Sequence, residues 1–435
     1  MKLFEFSFEQ TARIPLPEIE RAAAPLKDRI VSLVNQPIGS RTDPTSFIDV
    51  PFNDQILADV QELVRKKNAL QPALVVVIGI GGSHLGTAAC YQACEHSDTA
   101  PELVFADTID PDFVVDLLTR AQAILQKGHA ILVNIITKSG DTLETIANAD
   151  LFIALLKQYY PTDYKNYLVI TTQIDSPLWH YAQENAVDFL VIPSAIGGRY
   201  SVFTAVGLFP LAMARVNIQE LRTGAQLMAS ACLNLDIARN PAAVVATLLF
   251  LHHQNGIVIH DSFFFSVALA GVGRWYRQLL AESIGKKENT AGTTVHTGIL
   301  PTVSIGTTDL HSVGQLYIGG PFNRFTSFVS YKTYVHDPAP PADPVLASVR
   351  ADAGTQSLAT MYQAILHGVM RVYADDQRPF VSILFPEKST VYVGQYMQYA
   401  MMQVFYLGIL LDVNPFDQPE VERYKQETKK ILSDG

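Results

Sequence analysis

An α/β fold with two doubly wound parallel-sheet domains and flanking helices is what the sequence predicts, and three observations predict it. Apolar, β-rich runs alternate with helical patterns through the first half, and the same rhythm restarts near Gly256. The 435 residues also exceed what one hydrophobic core usually accommodates. The expected pieces are an N-terminal helical or irregular segment over 1–50, a first sheet domain over 51–200, a second over 201–417 and a C-terminal helical arm over 418–435.

The first rhythm opens with a strand over Ala73 to Ile80 and a helix after Gly82. Leu103 to Ala106 then leads to a helix over Pro111 to Leu125, and Ala130 to Ile136 leads to a helix from Ser139. Tyr167 to Thr171 and Phe189 to Ile192 supply further strands before Gly197, Gly198 and Arg199, which mark the domain border ahead of a helical pattern over Val202 to Asn217. In the second rhythm the strands are Gly256 to Ala268, Phe325 to Tyr331 and Phe380 to Leu384, with helices through Trp275 to Glu282 and over Leu346 to Tyr373. Glu288 to Pro301, rich in Thr and Gly, reads as a surface loop. Four prolines in the nine positions His336 to Pro344 exclude regular structure there. Pro419 to Leu432 has the polarity of an exposed helix begun by a proline.

Composition narrows the class. Hydrophobic residues at 48% against 17% charged can bury a large core, which excludes disorder for the bulk of the chain. The net charge of −10, with basic residues scattered, disfavours nucleic acid or an anionic membrane as partner. Met1 to Gln10 lacks the pattern of a signal peptide, and the most apolar runs, Leu74 to Ile80 and Ala400 to Leu411, are shorter than a membrane span of roughly 20 residues. A soluble cytoplasmic protein is expected. The three cysteines, Cys90, Cys94 and Cys232, suit a reducing compartment. Cys90 and Cys94 lie four apart on one helix face, but no third or fourth metal ligand stands near them, so they read as small core residues.

Two loops carry the chemistry. Gly79-Ile80-Gly81-Gly82-Ser83-His84-Leu85-Gly86 follows a strand and opens a helix, where backbone N–H groups and the helix dipole favour an anion. A dinucleotide fingerprint would want glycine at His84, although Asp107 is placed as a ribose-binding acid would be. Thr137-Lys138-Ser139-Gly140-Asp141-Thr142-Leu143-Glu144-Thr145 also follows a strand and opens a helix, with hydroxyls and a lysine suited to a phosphate monoester. Its plain reading is a Ser/Thr helix cap. The pair of loops points to a small phosphorylated metabolite.

Both loops resemble those of the sugar isomerase domain. Four further motifs, Gly197 to Leu208, Glu282-Ser283-Ile284-Gly285-Lys286, Asp309-Leu310-His311-Ser312 and Asp412 to Glu422, occur in order and together resemble the glucose-6-phosphate isomerase family, of its shorter bacterial kind. The resemblance implies two sugar isomerase domains and interconversion of glucose 6-phosphate and fructose 6-phosphate, in glycolysis and gluconeogenesis, without cofactor or metal. It implies that Gly82, Ser83, Thr137, Lys138, Ser139, Thr142, Gly198 and Gln418 bind substrate. Glu282 would be the base that moves a proton between C1 and C2, Arg199 the cation beside the enediolate, and His311 and Lys425 the groups that assist ring opening. The family's histidine at the place of His311 comes from the partner subunit, so a homodimer is implied too. That chemistry is sound on its own terms, because taking a proton from carbon beside a carbonyl needs a carboxylate or imidazole base and a positive charge near the oxygen. A bifunctional isomerase that also accepts mannose 6-phosphate, a non-catalytic sugar-phosphate sensor and an NAD-dependent dehydrogenase are the rival readings. Two places depart from the family pattern: Asp141 puts a negative charge in the phosphate loop, and Asn289 to Gly298 lengthens the interval between Glu282 and His311.

Overall fold

The computed structural model describes residues 2–97, 99–341, 345–346, 348–349 and 356–433. Among these, the strands in chain order are β1 (Glu5–Ser7), β2 (Pro72–Ile78), β3 (Glu102–Ala106), β4 (Ala130–Ile136), β5 (Leu168–Thr172), β6 (Phe189–Val191), β7 (Ile259–Phe265), β8 (Lys286–Glu288), β9 (Thr294–Thr297), β10 (Leu300–Ile305), β11 (Arg324–Tyr331) and β12 (Phe380–Phe385). The first five-stranded sheet has the order β3-β2-β4-β5-β6 and is parallel throughout. The second has the order β1-β12-β11-β7-β10 and is parallel except at β1, which runs antiparallel to β12.

Near-continuous Val, Ile and Leu in β2 and β4 reflect burial on both faces, as parallel sheets require. Leu74, Val76 and Ile78 pack outward with Val133 and Phe152, under the helices Pro111–Gln126 and Leu143–Tyr159. Val75 and Val77 point the other way, into a core that also holds Phe264, Val329 and Val381 from the second sheet. The helices Ala205–Met213, Ile218–Cys232, Pro241–Gln254, Ala270–Ile284 and Thr390–Leu410 supply Leu208, Met228, Val245, Leu279 and Met401 to that same core. The two sheets therefore share one central helical layer. Beyond the second sheet, Phe263, Phe265 and Phe328 pack with Leu366 and Tyr373 of the helix Leu358–Asp375.

The apolar run flagged over Ala400 to Leu411 belongs to the helix Thr390–Leu410, buried from Thr390 to Gly408. No described helix is long and apolar enough to cross a membrane. Glycines let this helix approach Ile218–Cys232 backbone to backbone: a Cβ on Gly394 would lie 2.0 Å from the Leu221 carbonyl oxygen, and one on Gly224 would lie 1.9 Å from that of Val391. Cys90, Cys94 and Cys232 are buried free thiols, and burial pushes Cys94 up to about 12.

Several elements differ from expectation. The expected helix over Val202 to Asn217 is shorter, Ala205–Met213, because Arg215 takes a left-handed conformation (φ 60°) and the Asn217 side chain accepts from the Glu220 N–H to start a new helix. The helices Ile218–Cys232 and Pro241–Gln254 went unread. Glu288 to Pro301 is half strand: β8 and β9 form an antiparallel hairpin whose turn is closed by the Asn289 carboxamide oxygen accepting from Ala291 and Thr293, and β10 follows. Near the N-terminus, β1 is a strand of the second sheet. The Gly256 to Ala268 strand contracts to β7, and the helix expected from Ser139 starts at Leu143. Of the helix expected over Leu346 to Tyr373, Leu358–Asp375 is observed, while 347 and 350–355 lie outside the described residues. Pro419–Ser433 is an exposed helix, as its polarity predicts.

Candidate active site

Neighbours in the first sheet, β2 and β4, send the chain in opposite directions, to β3 on one side and β5 on the other. Ligands of open α/β sheets bind at such a switch point, beyond the carboxyl ends of the strands. Both sequence loops emerge there, Gly79 to Gly86 from β2 and Thr137 to Thr145 from β4.

The second loop is an open cradle. Thr142 occupies the N-cap position of the Leu143–Tyr159 helix but makes no capping bond; its hydroxyl pairs with Thr137 Oγ1 at 2.7 Å instead. Ser139 Oγ lies 3.4 Å from Thr137 Oγ1 and 3.5 Å from Thr142 Oγ1. The backbone N–H groups of Lys138 through Thr145 donate to no protein acceptor among the described residues. Unpaired donors at a helix N-terminus, beside clustered hydroxyls, bind an anion. Gly140 takes φ 76°, and a Cβ there would lie 2.8 Å from Ser176, so the turn requires glycine. Lys138 is directed away: its Nζ donates to the Ser194 carbonyl at 2.6 Å, and burial lowers its pKa.

The first loop docks on the turn that carries Arg199. A Cβ on Gly82 would lie 2.2 Å from the Gly198 carbonyl carbon and 2.5 Å from the Arg199 nitrogen, so the two backbones touch. Ser83 lies in the short 3₁₀ turn Gly81–Ser83, and its hydroxyl has no described hydrogen bond. Asp107 pairs with His84 Nε2 at 2.9 Å, and that hydrogen bond lowers the Asp107 pKa, so the carboxylate singled out for a ribose holds the first loop instead.

Arg199 is buried and almost fully committed. Its Nε donates to Ser283 Oγ at 2.7 Å, Nη1 to Gln418 Oε1 at 2.8 Å, and Nη2 to the carbonyls of Pro415 at 2.7 Å and Asp417 at 3.1 Å. Glu282, in the last turn of the Ala270–Ile284 helix, puts Oε1 3.6 Å from Arg199 Nη1 and accepts from Gln278 Nε2 on Oε2 at 3.0 Å. Lys286 donates to the Glu282 carbonyl at 3.1 Å and pairs with Asp417 at 2.8 Å; burial lowers its pKa, against the opposing pull of Asp417. Glu282, Gln278, Lys286 and Gln418 line one cavity of about 440 Å³.

A second cavity, about 430 Å³, lies between the cradle and the Pro419–Ser433 helix and is lined by Ser139, Asp141, Thr142, Lys425 and Lys429. Burial pulls the Lys425 pKa down, but its 2.7 Å pair with Glu422 outweighs that and leaves it raised. The fold thus brings Gly82, Gly198, Arg199, Glu282 and Gln418 together, and the cradle together with Lys425. His311 is not gathered with them: it is exposed after the 3₁₀ turn Thr308–Leu310, its side chain makes no described hydrogen bond, and it lines neither cavity.

Sequence reading missed Gln278 and Lys429, and gave no role to Ser283, Lys286 or Asp417 although they lie within the motifs it used. Gln278 was accessible, since it stands four positions before Glu282 on a helix and so shares its face. The roles of the others depend on contacts between distant segments, as of Ser283 with Arg199 and of Lys286 with Asp417.

The chain is similar along most of its length to proteins of known name. The profile of phosphoglucose isomerase matches residues 67–326. A glucose-6-phosphate isomerase of Carboxydothermus hydrogenoformans is 31% identical over 398 residues, covering 89% of this chain and 84% of that protein. Among solved structures, a hypothetical protein of Thermus thermophilus superposes with a TM-score of 0.87 at 28% identity, over 99% of this chain and 100% of the other. A glucose-6-phosphate isomerase of Chlamydia trachomatis shares the fold, with a TM-score of 0.84 at 20% identity over 99% of this chain and 88% of the other. With its cradle, its buried Arg199 and the profile match over more than half its length, the chain belongs to the phosphoglucose isomerase family.

Proposed function

We propose that the chain interconverts D-glucose 6-phosphate and D-fructose 6-phosphate. The Arg199 cluster carries this reading: one buried guanidinium is bonded to the helix that bears Glu282 and to the loop that bears Gln418, and it stands beside the Glu282 carboxylate. A sugar-phosphate sensor needs the cradle but has no need of a cavity-lining carboxylate set beside a buried permanent cation.

In this reading Thr137, Ser139, Thr142 and the backbone of Lys138 take the phosphate, with Gly82, Ser83 and Gly198 shaping the wall next to it. Lys425 and His311 assist opening of the ring by moving the proton between the hemiacetal oxygens. Glu282 takes the proton from C2 of the open aldose, the electron pair shifts to the carbonyl oxygen, and the enediolate develops negative charge near Arg199. The C2 hydroxyl proton passes to the C1 oxygen, protonation at C1 by the same carboxyl closes the C2 carbonyl and gives the ketose, and the reverse order gives the aldose. Arg199 cannot lose its charge, so it supplies the electrostatic stabilisation without metal or cofactor. Gln418, held by Arg199, orients the sugar hydroxyls.

We further infer a homodimer in which each site is completed by His311 of the second copy. Its exposure, and its absence from both cavities, support this. Three buried free thiols fit a cytoplasmic enzyme.

The test is to incubate the purified protein with fructose 6-phosphate and, separately, mannose 6-phosphate, with chelator and without cofactor, and to follow glucose 6-phosphate. Product from fructose 6-phosphate alone is expected. Product from both would establish the bifunctional isomerase, and product from neither would end the isomerase reading.

A further inference from the structure

Lys138 is the only cation within the cradle loop, and its ammonium is bonded to the Ser194 carbonyl on the far side. Asp141 adds a negative charge to the same loop and lines the cavity above it, as do Glu144 and Glu422. A phosphate monoester brings nearly two more negative charges at neutral pH. Hydroxyls and backbone N–H groups stabilise those charges only in part, and three carboxylates around one small cavity oppose them.

The compensating cations come from the other wall. Lys425 and Lys429 lie four apart on the Pro419–Ser433 helix, hence on one face, and both line the cavity with Ser139, Asp141 and Thr142. Lys425 is shared with Glu422 at 2.7 Å, whereas Lys429 makes no ion pair or hydrogen bond among the described residues. Its neighbour Lys430 pairs with Glu427 at 2.6 Å and does not line the cavity.

We propose that Lys429 is a phosphate-binding residue: the C-terminal helix lays its ammonium over the cradle, where it balances Asp141 and takes the charge that Lys138 does not supply. This rests on the isomerase reading for the identity of the ligand. Asp141 then has a role, as a carboxylate on the cavity wall whose charge Lys429 offsets.

Steady-state kinetics with fructose 6-phosphate on Lys429→Met, Lys429→Arg and the control Lys430→Met test it. In K429M the KM is expected to rise about tenfold with kcat within about twofold, as for loss of one charge-assisted contact. K429R is expected to recover most of the affinity, K430M to match the parent, and all three to keep the parent's thermal midpoint. Inorganic phosphate, titrated by calorimetry, is expected to bind K429M more weakly by the same factor. If the parent protein turns over no fructose 6-phosphate, the isomerase reading fails, and the phosphate titration alone decides the role of Lys429. An unchanged KM in K429M, or unchanged phosphate affinity, overturns the proposal.

Discussion

Arg199 Nη1 stands 3.6 Å from Glu282 Oε1, so guanidinium and carboxylate face one another without a hydrogen bond between them. The gap has chemical value. A closed bidentate pair would occupy both carboxylate oxygens and weaken the base. Here Gln278 occupies Oε2 and leaves Oε1 free to receive a proton.

The Glu282→Gln variant is expected to lose about 10²- to 10⁴-fold in kcat, the usual share of a general base, with KM little changed because the amide keeps the shape. Exchange of the substrate's C2 proton with solvent is expected to disappear with turnover. Near-normal turnover would remove Glu282 from the proton transfer.

Thr142→Val separates cradle from cap. Its hydroxyl pairs with Thr137 and caps nothing, so the substitution is expected to raise KM for fructose 6-phosphate about tenfold or more and to leave the denaturation midpoint nearly in place. The opposite pattern, lost stability with unchanged KM, would return Thr142 to an ordinary N-cap.

For Gly82→Ala, the added Cβ would lie 2.2 Å from the Gly198 carbonyl carbon and must push the Arg199 turn aside. A displacement of that order in an active site costs about 10²-fold in kcat/KM, and crowding costs about 1–3 kcal/mol of stability. A variant with parental kinetics would mean that the turn shifts freely.

Stability is expected to fall with acid in a window set by His260. Burial lowers its pKa from 6.5 to about 3. Between those values the unfolded chain binds a proton that the folded one refuses. The contribution is therefore complete above pH 6.5 and is lost as pH falls toward 3, at about 1.4 kcal/mol per unit. Gln403 donates to the Tyr276 hydroxyl at 2.8 Å, which leaves that hydroxyl to donate to His260 Nδ1 at 3.0 Å, while Nε2–H donates to Ser327 Oγ at 2.8 Å. Urea midpoints across this range are expected to show a shallower slope for His260→Gln than for the parent; equal slopes would assign the acid sensitivity elsewhere.

The parallel sheets were legible because burial on both faces writes itself as unbroken Val/Ile runs, as in β2 and β4, and both phosphate-side loops were legible because glycines and hydroxyls follow those runs. The central helices were harder. Pro241–Gln254 and Thr390–Leu410 are apolar all round, so neither displays the one-sided periodicity by which a surface helix is read. The β8–β9 hairpin was masked by Thr and Gly, residues common to loops and to exposed strands. In the site, Arg199 and Glu282 were reached through motif resemblance. The direction of Lys138 and the cavity position of Lys429 depend on which segments meet across the fold, and local pattern carries no such information.

The antiparallel seam between Glu5–Ser7 and Ser382–Leu384 bears on how the molecule is made. A chain emerging from the ribosome presents its first strand long before the edge it must join exists. The first sheet, closed within residues 72–191, can assemble early. The second must keep an unpaired rim until Phe380–Phe385 has been made, and Lys425 and Lys429 emerge later still. A nascent chain halted before Pro419 therefore holds the Thr137 to Thr145 loop without the helix that forms the other wall of its cavity.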